Sequence, residues 1–147
     1  MKIAIVYYSS HHGNTKRLLD AVCAENHDIV LINAAASPIT ELSDYDLIGF
    51  ASGIYYSKFH DTVLRFAEQT LKKGQKVFFL YTCGIKNPRY TAAIQSAAEK
   101  KGAVIAGSYG CRGFDTFGPW KLIGGIAKGH PDQSDIAGAV KFLQSMP

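Results

Sequence analysis

Apolar positions along this chain fall into two alternating rhythms. Unbroken apolar runs of strand length occupy Lys2 to Tyr8, Ile29 to Ile32, Leu47 to Ala51, Val77 to Tyr81 and Val104 to Gly107. Runs without polar alternation mark strands covered on both faces, which predicts a parallel sheet inside the molecule. Between the runs, apolar residues recur with helical spacing: Thr15, Leu18, Leu19 and Val22; then Val63, Phe66, Ala67, Thr70 and Leu71. Two further stripes are Tyr90, Ala93, Ile94, Ala97 and Ala98, and Ile136, Ala139, Val140 and Leu143. Each stripe suits a helix laid on a sheet.

Start and stop signals sharpen these expectations. Asp132 and Ser134 are candidate caps for the last helix, and Lys72-Lys73-Gly74 and Lys100-Lys101-Gly102 read as helix ends, with cations on the negative pole and glycine beyond it. The order of elements predicts one right-handed, three-layer α/β sandwich over residues 1–147. Two stretches lack either rhythm: Asn33 to Asp46, predicted to be a loop or a short helical turn, and Gly110 to Pro131, which is rich in glycine and holds the single tryptophan. Irregular segments of the second length are more often functional than idle.

Composition removes several classes of protein. With 47% hydrophobic and 19% charged residues in 147, the chain can bury a core without disulfide or metal support. No apolar run approaches the roughly 20 residues of a membrane span, and no cleavable leader is evident, so an intracellular, cytoplasmic protein is expected. Cys23, Cys83 and Cys111 are odd in number and lack metal-site spacing, so neither a structural disulfide nor a zinc site is expected. The formal charge of +4 is too mild and unclustered to predict nucleic-acid binding.

In an open parallel sheet, ligands bind beyond the carboxyl ends of the strands, which directs attention to four segments. Ser9 to Thr15 joins the first strand to the first helix. Its backbone N–H groups, Gly13, the hydroxyls of Ser10 and Thr15 and the positive helix end make a cradle for a phosphate. A nucleoside-triphosphate loop or a dinucleotide fingerprint would need glycines that are absent here; the plainer alternative is that Ser10 and Asn14 cap a helix. His11-His12 could suggest a metal, but adjacent residues in a tight turn diverge and no third ligand is near, so none is expected.

The segment Ser10-His11-His12-Gly13-Asn14-Thr15 resembles the flavodoxin pattern [ST]-x-T-G-N-T, and strand count, length and helix placement extend the likeness over nearly the whole chain. That resemblance implies a five-stranded sheet of order 2-1-3-4-5 and a loop wrapping the phosphate of FMN. His12 departs from the family's threonine, although an imidazole N–H can donate in its place.

The same resemblance gives roles to two further segments. Ser52-Gly53-Ile54-Tyr55-Tyr56 stands where the family carries an aromatic that stacks on the flavin ring, with Gly53 admitting its edge; the alternative is two tyrosines packed into a neighbouring helix. Thr82-Cys83-Gly84 would lend backbone groups to the ring's pyrimidine edge. Cys83 and Arg89 also have the C-x5-R spacing of a cysteine phosphatase, which would require a thiolate of depressed pKa; Pro88 removes one amide from that loop. In the fourth segment, Phe114, Phe117 and Trp120 could form a lid, a partner surface or packed core. For Cys83 and Cys111 the alternatives are a redox pair beside the flavin and two unlinked small residues.

The expectation is an FMN-binding electron carrier, with an FMN-dependent reductase of a small, quinone-type substrate as the alternative and a cysteine phosphatase as a weaker one. No side chain need be catalytic. Lys58, Lys86, Arg89, Arg112, Lys121 and Lys128 fall on the expected cofactor rim, which favours an acidic redox partner protein or an anionic substrate over the basic partners usual for the family.

Overall fold

The structure, a computed structural model, describes residues 1–10, 12–116 and 118–147. The apolar runs form strands β1 (Ile3–Tyr8), β2 (Ile29–Asn33), β3 (Leu47–Tyr55), β5 (Lys76–Cys83) and β6 (Val104–Arg112), all parallel, in the order β2-β1-β3-β5-β6. The predicted 2-1-3-4-5 order holds once a sixth strand is counted: β4 (Lys58–Phe59) folds back antiparallel on the end of β3. Helices α1 (Asn14–Glu25) and α4 (Gln133–Gln144) cover one face, and α2 (Asp61–Thr70) and α3 (Ala92–Lys100) the other.

Strand pleating divides the core in two. Ala4, Val6, Phe50, Phe79 and Cys83 point toward α2 and α3, whereas Ile3, Ile5, Ala51, Phe78, Leu80 and Cys111 point toward α1 and α4. The helical stripes meet these faces as expected, with Leu18, Leu19, Val63, Phe66, Ile94, Ala98 and Ala139 almost wholly buried. At roughly 1.5–3 kcal/mol for each large apolar side chain, these two layers supply most of the drive to fold.

The strands run further than their apolar runs, and the reasons are local. Alternation continues in β3 through Ser52, whose hydroxyl donates to the Gly53 carbonyl and accepts from the His60 amide, tying the strand's end to β4. In β6 the pairing with β5 skips Ala106, a bulge that breaks the regular pattern beyond Ile105 before pairing resumes to Arg112. Helix ends also differ from expectation. α3 stops as predicted: Gly102 adopts φ 74° and its amide donates to the Glu99 carbonyl. α2 ends earlier, at Thr70, so Lys72 and Lys73 lie beyond the helix and do not face its pole. The third helical stripe is split, with Tyr90 in a 3₁₀ turn (Pro88–Thr91) ahead of α3. Asp132, not Ser134, caps α4 through a reciprocal bond with Asp135. The crossover from Asn33 to Asp46 is a loop, anchored by Leu42 at 1% exposure.

Candidate functional site

Three connections at the carboxyl end of the sheet converge on one cleft of about 720 Å³, within the size range of small-molecule and cofactor sites. The β1–α1 loop forms one side. Gly13 takes the left-handed conformation there (φ 68°, ψ 27°), turning the chain from β1 into α1 without a side-chain cap at that position. Ser9 supplies a cap instead, its hydroxyl accepting from the Lys16 amide at 3.1 Å. Helix geometry leaves the amides of the first turn without intrahelical acceptors, and they carry the positive end of the dipole.

Most of the expected site residues line this cleft: Ser10, His12, Asn14, Thr15, Gly53, Ile54, Tyr55, Tyr56, Thr82, Cys83 and Gly84. Gly13 shapes the loop from behind and Ser52 is fully buried in the hairpin bonds already described. His11, expected among the cofactor-binding residues, and Phe117, offered for a lid, a partner surface or packed core, lie outside the described residues. Two polar side chains of the loop are engaged by protein. The buried hydroxyls of Thr15 and Thr82 meet at 2.9 Å, and Asn14 donates to the Phe114 carbonyl at 2.8 Å.

The opposite wall is the β3–β4 hairpin. Tyr55 ends β3, while Tyr56 (φ 51°) and Ser57 (φ 66°) form its two-residue turn, both in the left-handed region. Two-residue hairpin turns demand positive φ to match strand twist and usually recruit Asn-Gly; a tyrosine there carries backbone strain of the kind that gathers at functional sites. Tyr56 is 88% exposed at the mouth. Tyr55 turns inward, its hydroxyl 2.6 Å from the Ser10 hydroxyl, and stands beside Tyr8 and His60, whose rings stack at 3.7 Å. Burial pushes the Tyr55 phenol up, keeping it protonated. Burial pushes His60 down, which suits its Nδ1 accepting from the Thr62 amide to cap α2.

The third wall is the end of β5. Burial pushes the Cys83 thiol up to about 11, and the thiol donates to the Cys111 carbonyl. A phosphatase nucleophile needs the opposite shift, and Arg89 does not share the cleft lining with Cys83. Nor do the cysteines pair: Cys111 sits opposite Thr82 in register, which puts its thiol and that of Cys83 on opposite faces of the sheet. Burial holds Cys111 at about 12.

Over these walls lies the excursion between β6 and α4. Its two limbs are clasped by reciprocal bonds between Asp115 and Ile126 and by Phe114 N–H donating to the His130 carbonyl. Its root is fastened to β5, Gly113 N–H donating to the Cys83 carbonyl and Arg112 Nε to that of Gly84. Gly113 is there by necessity, since a Cβ would stand 2.6 Å from Asn14 Nδ2. Further along, His12 Nε2 meets the Thr116 hydroxyl at 2.9 Å and its ring packs on Phe114 at 4.3 Å. His130 Nδ1 donates to Asp135, securing the distal limb to α4. Phe114, Asp115, Thr116, Trp120 and Lys121 are the excursion's side chains in the lining. Sequence reasoning offered Phe114 and Trp120 as a lid, a partner surface or packed core, and missed Asp115, Thr116 and Tyr90 in the lining; the length of the excursion signalled the first two, and Tyr90 comes from the turn ahead of α3.

The six expected rim cations are not equally placed. Arg112 is spent on the Gly84 carbonyl and Lys58 lies 3.1 Å from Asp61, leaving Lys86, Arg89, Lys121 and Lys128 exposed.

A family model for the flavodoxin domain matches residues 5–110, the span carrying β1 through most of β6. The chain belongs to the flavodoxin domain family. An uncharacterised protein of Methanocaldococcus jannaschii is 36% identical over 149 residues, covering 99% of this chain and 98% of the relative. Oxidised flavodoxin 1 from Bacillus cereus shares the fold at TM-score 0.67 and 17% identity, over 99% of this chain and all of that one. An NADPH-quinone reductase from P. pentosaceus does so at TM-score 0.72 and 8% identity, each chain covered in full. The flavodoxin-domain match ends before Gly113, so the excursion that roofs the cleft lies outside it. No helix among the described residues is long and apolar enough to cross a membrane.

Proposed function

We propose that this flavodoxin-domain protein holds one FMN non-covalently in the cleft and passes electrons through it. The observation that supports this reading best is the convergence of the α1 N-terminus, the Tyr55–Tyr56 hairpin and the β5 end on a single cavity. When bound, FMN supplies the one- and two-electron redox chemistry. The chain's own residues grip and orient it. With the Lys16 amide held by Ser9, the Asn14 and Thr15 amides at the α1 N-terminus would donate to the phosphate, with the helix dipole favouring its charge. Ser10 and His12 add a hydroxyl and an imidazole. With the protonated Tyr55 donating to Ser10, the serine's own proton is left for a phosphate oxygen. The Asn14 side chain, held by Phe114, and the Thr15 hydroxyl, held by Thr82, position the loop.

Tyr56 covers the ring by stacking, Gly53 and Ile54 border its edge, and backbone groups of Thr82 to Gly84 meet its polar pyrimidine end. Phe114 and Trp120 exclude water from above. The setting is the cytoplasm, a reducing compartment in which three free thiols persist. Extraction and chromatography of the cofactor test the assignment: FMN is expected, and FAD in its place would contradict it.

The roof favours a second reading. Phe114, Thr116, Trp120 and Lys121 line the same cleft as the hairpin, an enclosure suited to a small planar substrate held against the cofactor. In that reading the protein is an FMN-dependent reductase of a quinone-type molecule. The two readings separate in stopped-flow: a carrier, once reduced, is oxidised fastest by a protein acceptor, a reductase by a small quinone.

A further inference from the structure

Two apolar side chains of the roof face water side by side. Leu122 is 89% and Ile123 68% exposed, and these two are consecutive, at the end of the 3₁₀ turn Gly118–Ile123. Single exposed hydrophobics are ordinary on any protein; two adjacent branched ones standing clear of the surface are a contact feature. Lys121 precedes them and Lys128 follows, both exposed, and from Thr116 to Pro131 the sequence carries no carboxylate. The same mouth presents Tyr56 and Ile85, 88% and 53% exposed, with Lys86 and Arg89 beside them.

We propose that this tip docks on an anionic lipid bilayer, with Leu122 and Ile123 entering the headgroup boundary and Lys121, Lys128, Lys86 and Arg89 facing the lipid phosphates. Charge complementarity argues for that occupant. Apolar side chains flanked in sequence by Lys121 and Lys128, with the nearby carboxylate of Asp115 set inside the cleft against Gly84, match an anionic interface, where the lysine stems follow the apolar residues inward and the ammonium groups stay at the headgroups. Shape argues the same way. A stable protein interface takes about 800 Å² from each partner, a flat area that two adjacent side chains on one short turn do not offer, whereas a bilayer accepts a narrow tip. Trp120 and Lys121 line the cleft, so docking at Leu122 and Ile123 sets the mouth of the site against the membrane surface. A lipid-soluble redox substrate would then reach the cleft without crossing water. The docking itself stands on exposure and charge, independently of which cofactor fills the cleft.

The single tryptophan, two residues from Leu122, is a built-in reporter. Purified full-length protein is mixed with vesicles of phosphatidylcholine containing about one-third phosphatidylglycerol, and with pure phosphatidylcholine vesicles. Expected are sedimentation with the anionic vesicles, a blue shift of Trp120 emission, and reversal of both by molar salt. The partition coefficient should fall at least tenfold in Leu122→Ser/Ile123→Ser and in Lys121→Glu/Lys128→Glu, while the pure phosphatidylcholine vesicles bind weakly throughout. Protein that stays in the supernatant, or that sediments equally well with Leu122 and Ile123 replaced, overturns the proposal. So does an acidic ferredoxin that shifts Trp120 emission through the same two residues while vesicles leave it unchanged.

Discussion

The Asn14 side-chain amide donates to the Phe114 carbonyl at 2.8 Å, joining residues 100 positions apart in sequence. That bond fastens the first turn of α1 to the root of the roof, and Arg17, reaching both Asn14 Oδ1 and the His130 carbonyl, fastens it to the far limb as well. The α1 end of the cleft and its cover are thereby one mechanical unit. Gly113→Ala should part them, because its Cβ would overlap Asn14. FMN binding is expected to weaken about tenfold, or about 1.4 kcal/mol, with the fold retained by circular dichroism. Unchanged affinity would show that the roof contributes nothing to cofactor retention.

A second pair is sealed more deeply. Thr15 and Thr82 are 2% and 4% exposed with their hydroxyls bonded to each other. Replacing either by valine strands the other hydroxyl, at a cost of about 1–3 kcal/mol in urea denaturation. Thr15→Val/Thr82→Val should cost clearly less than the sum of the single changes, since no orphan remains.

Alkaline pH should destabilise the protein. Burial raises Cys83 to about 11, Cys111 to about 12 and Tyr109 to about 12. The folded chain therefore holds protons that the unfolded chain releases, from about pH 8.5 for the thiols and about pH 10 for the phenol. Stability from these groups is intact below those values and is lost as pH rises toward 11 and 12. The melting temperature should fall between pH 9 and 11, and fall less in Cys111→Ala. By the same logic Cys83 should react slowly with iodoacetamide at pH 8, which a nucleophilic thiolate would not.

The exposed rim cations should govern encounter with anionic acceptors. Electron transfer to an acidic protein or an anionic quinone should slow as salt rises, and slow further in Lys86→Glu/Lys121→Glu. Rates indifferent to both would detach the basic rim from partner choice.

Sequence alone revealed what periodicity and end signals encode. The sandwich follows from unbroken apolar runs and helical stripes, and the turn between β1 and α1 from its glycine, whereas the strand order was implied by the flavodoxin resemblance and is not encoded in periodicity. It did not reveal the hairpin, because Tyr56-Ser57 adopts a turn that glycine and asparagine normally announce, and β4 has only two residues. The end of β6 was hidden by a bulge at Ala106. Lys72 and Lys73 looked like a helix terminus because the spacing of cations before glycine is local, whereas the end of α2 is set by Leu71 turning extended to bury its side chain at 4% exposure. Asn14 and Thr15 were legible as candidates at the cleft they line, but their bonds to Phe114 and Thr82 depend on long-range packing that no local pattern carries.

The central claim is that the cleft is built around a phosphate-bearing flavin, and titration of the flavin-free protein with FMN and with riboflavin tests it most directly. Quenching of flavin fluorescence should saturate at one FMN per chain, with riboflavin bound at least about a hundredfold more weakly for want of charge-assisted bonds to the α1 amides. Riboflavin bound as tightly as FMN, or no saturable quenching by either, would contradict it.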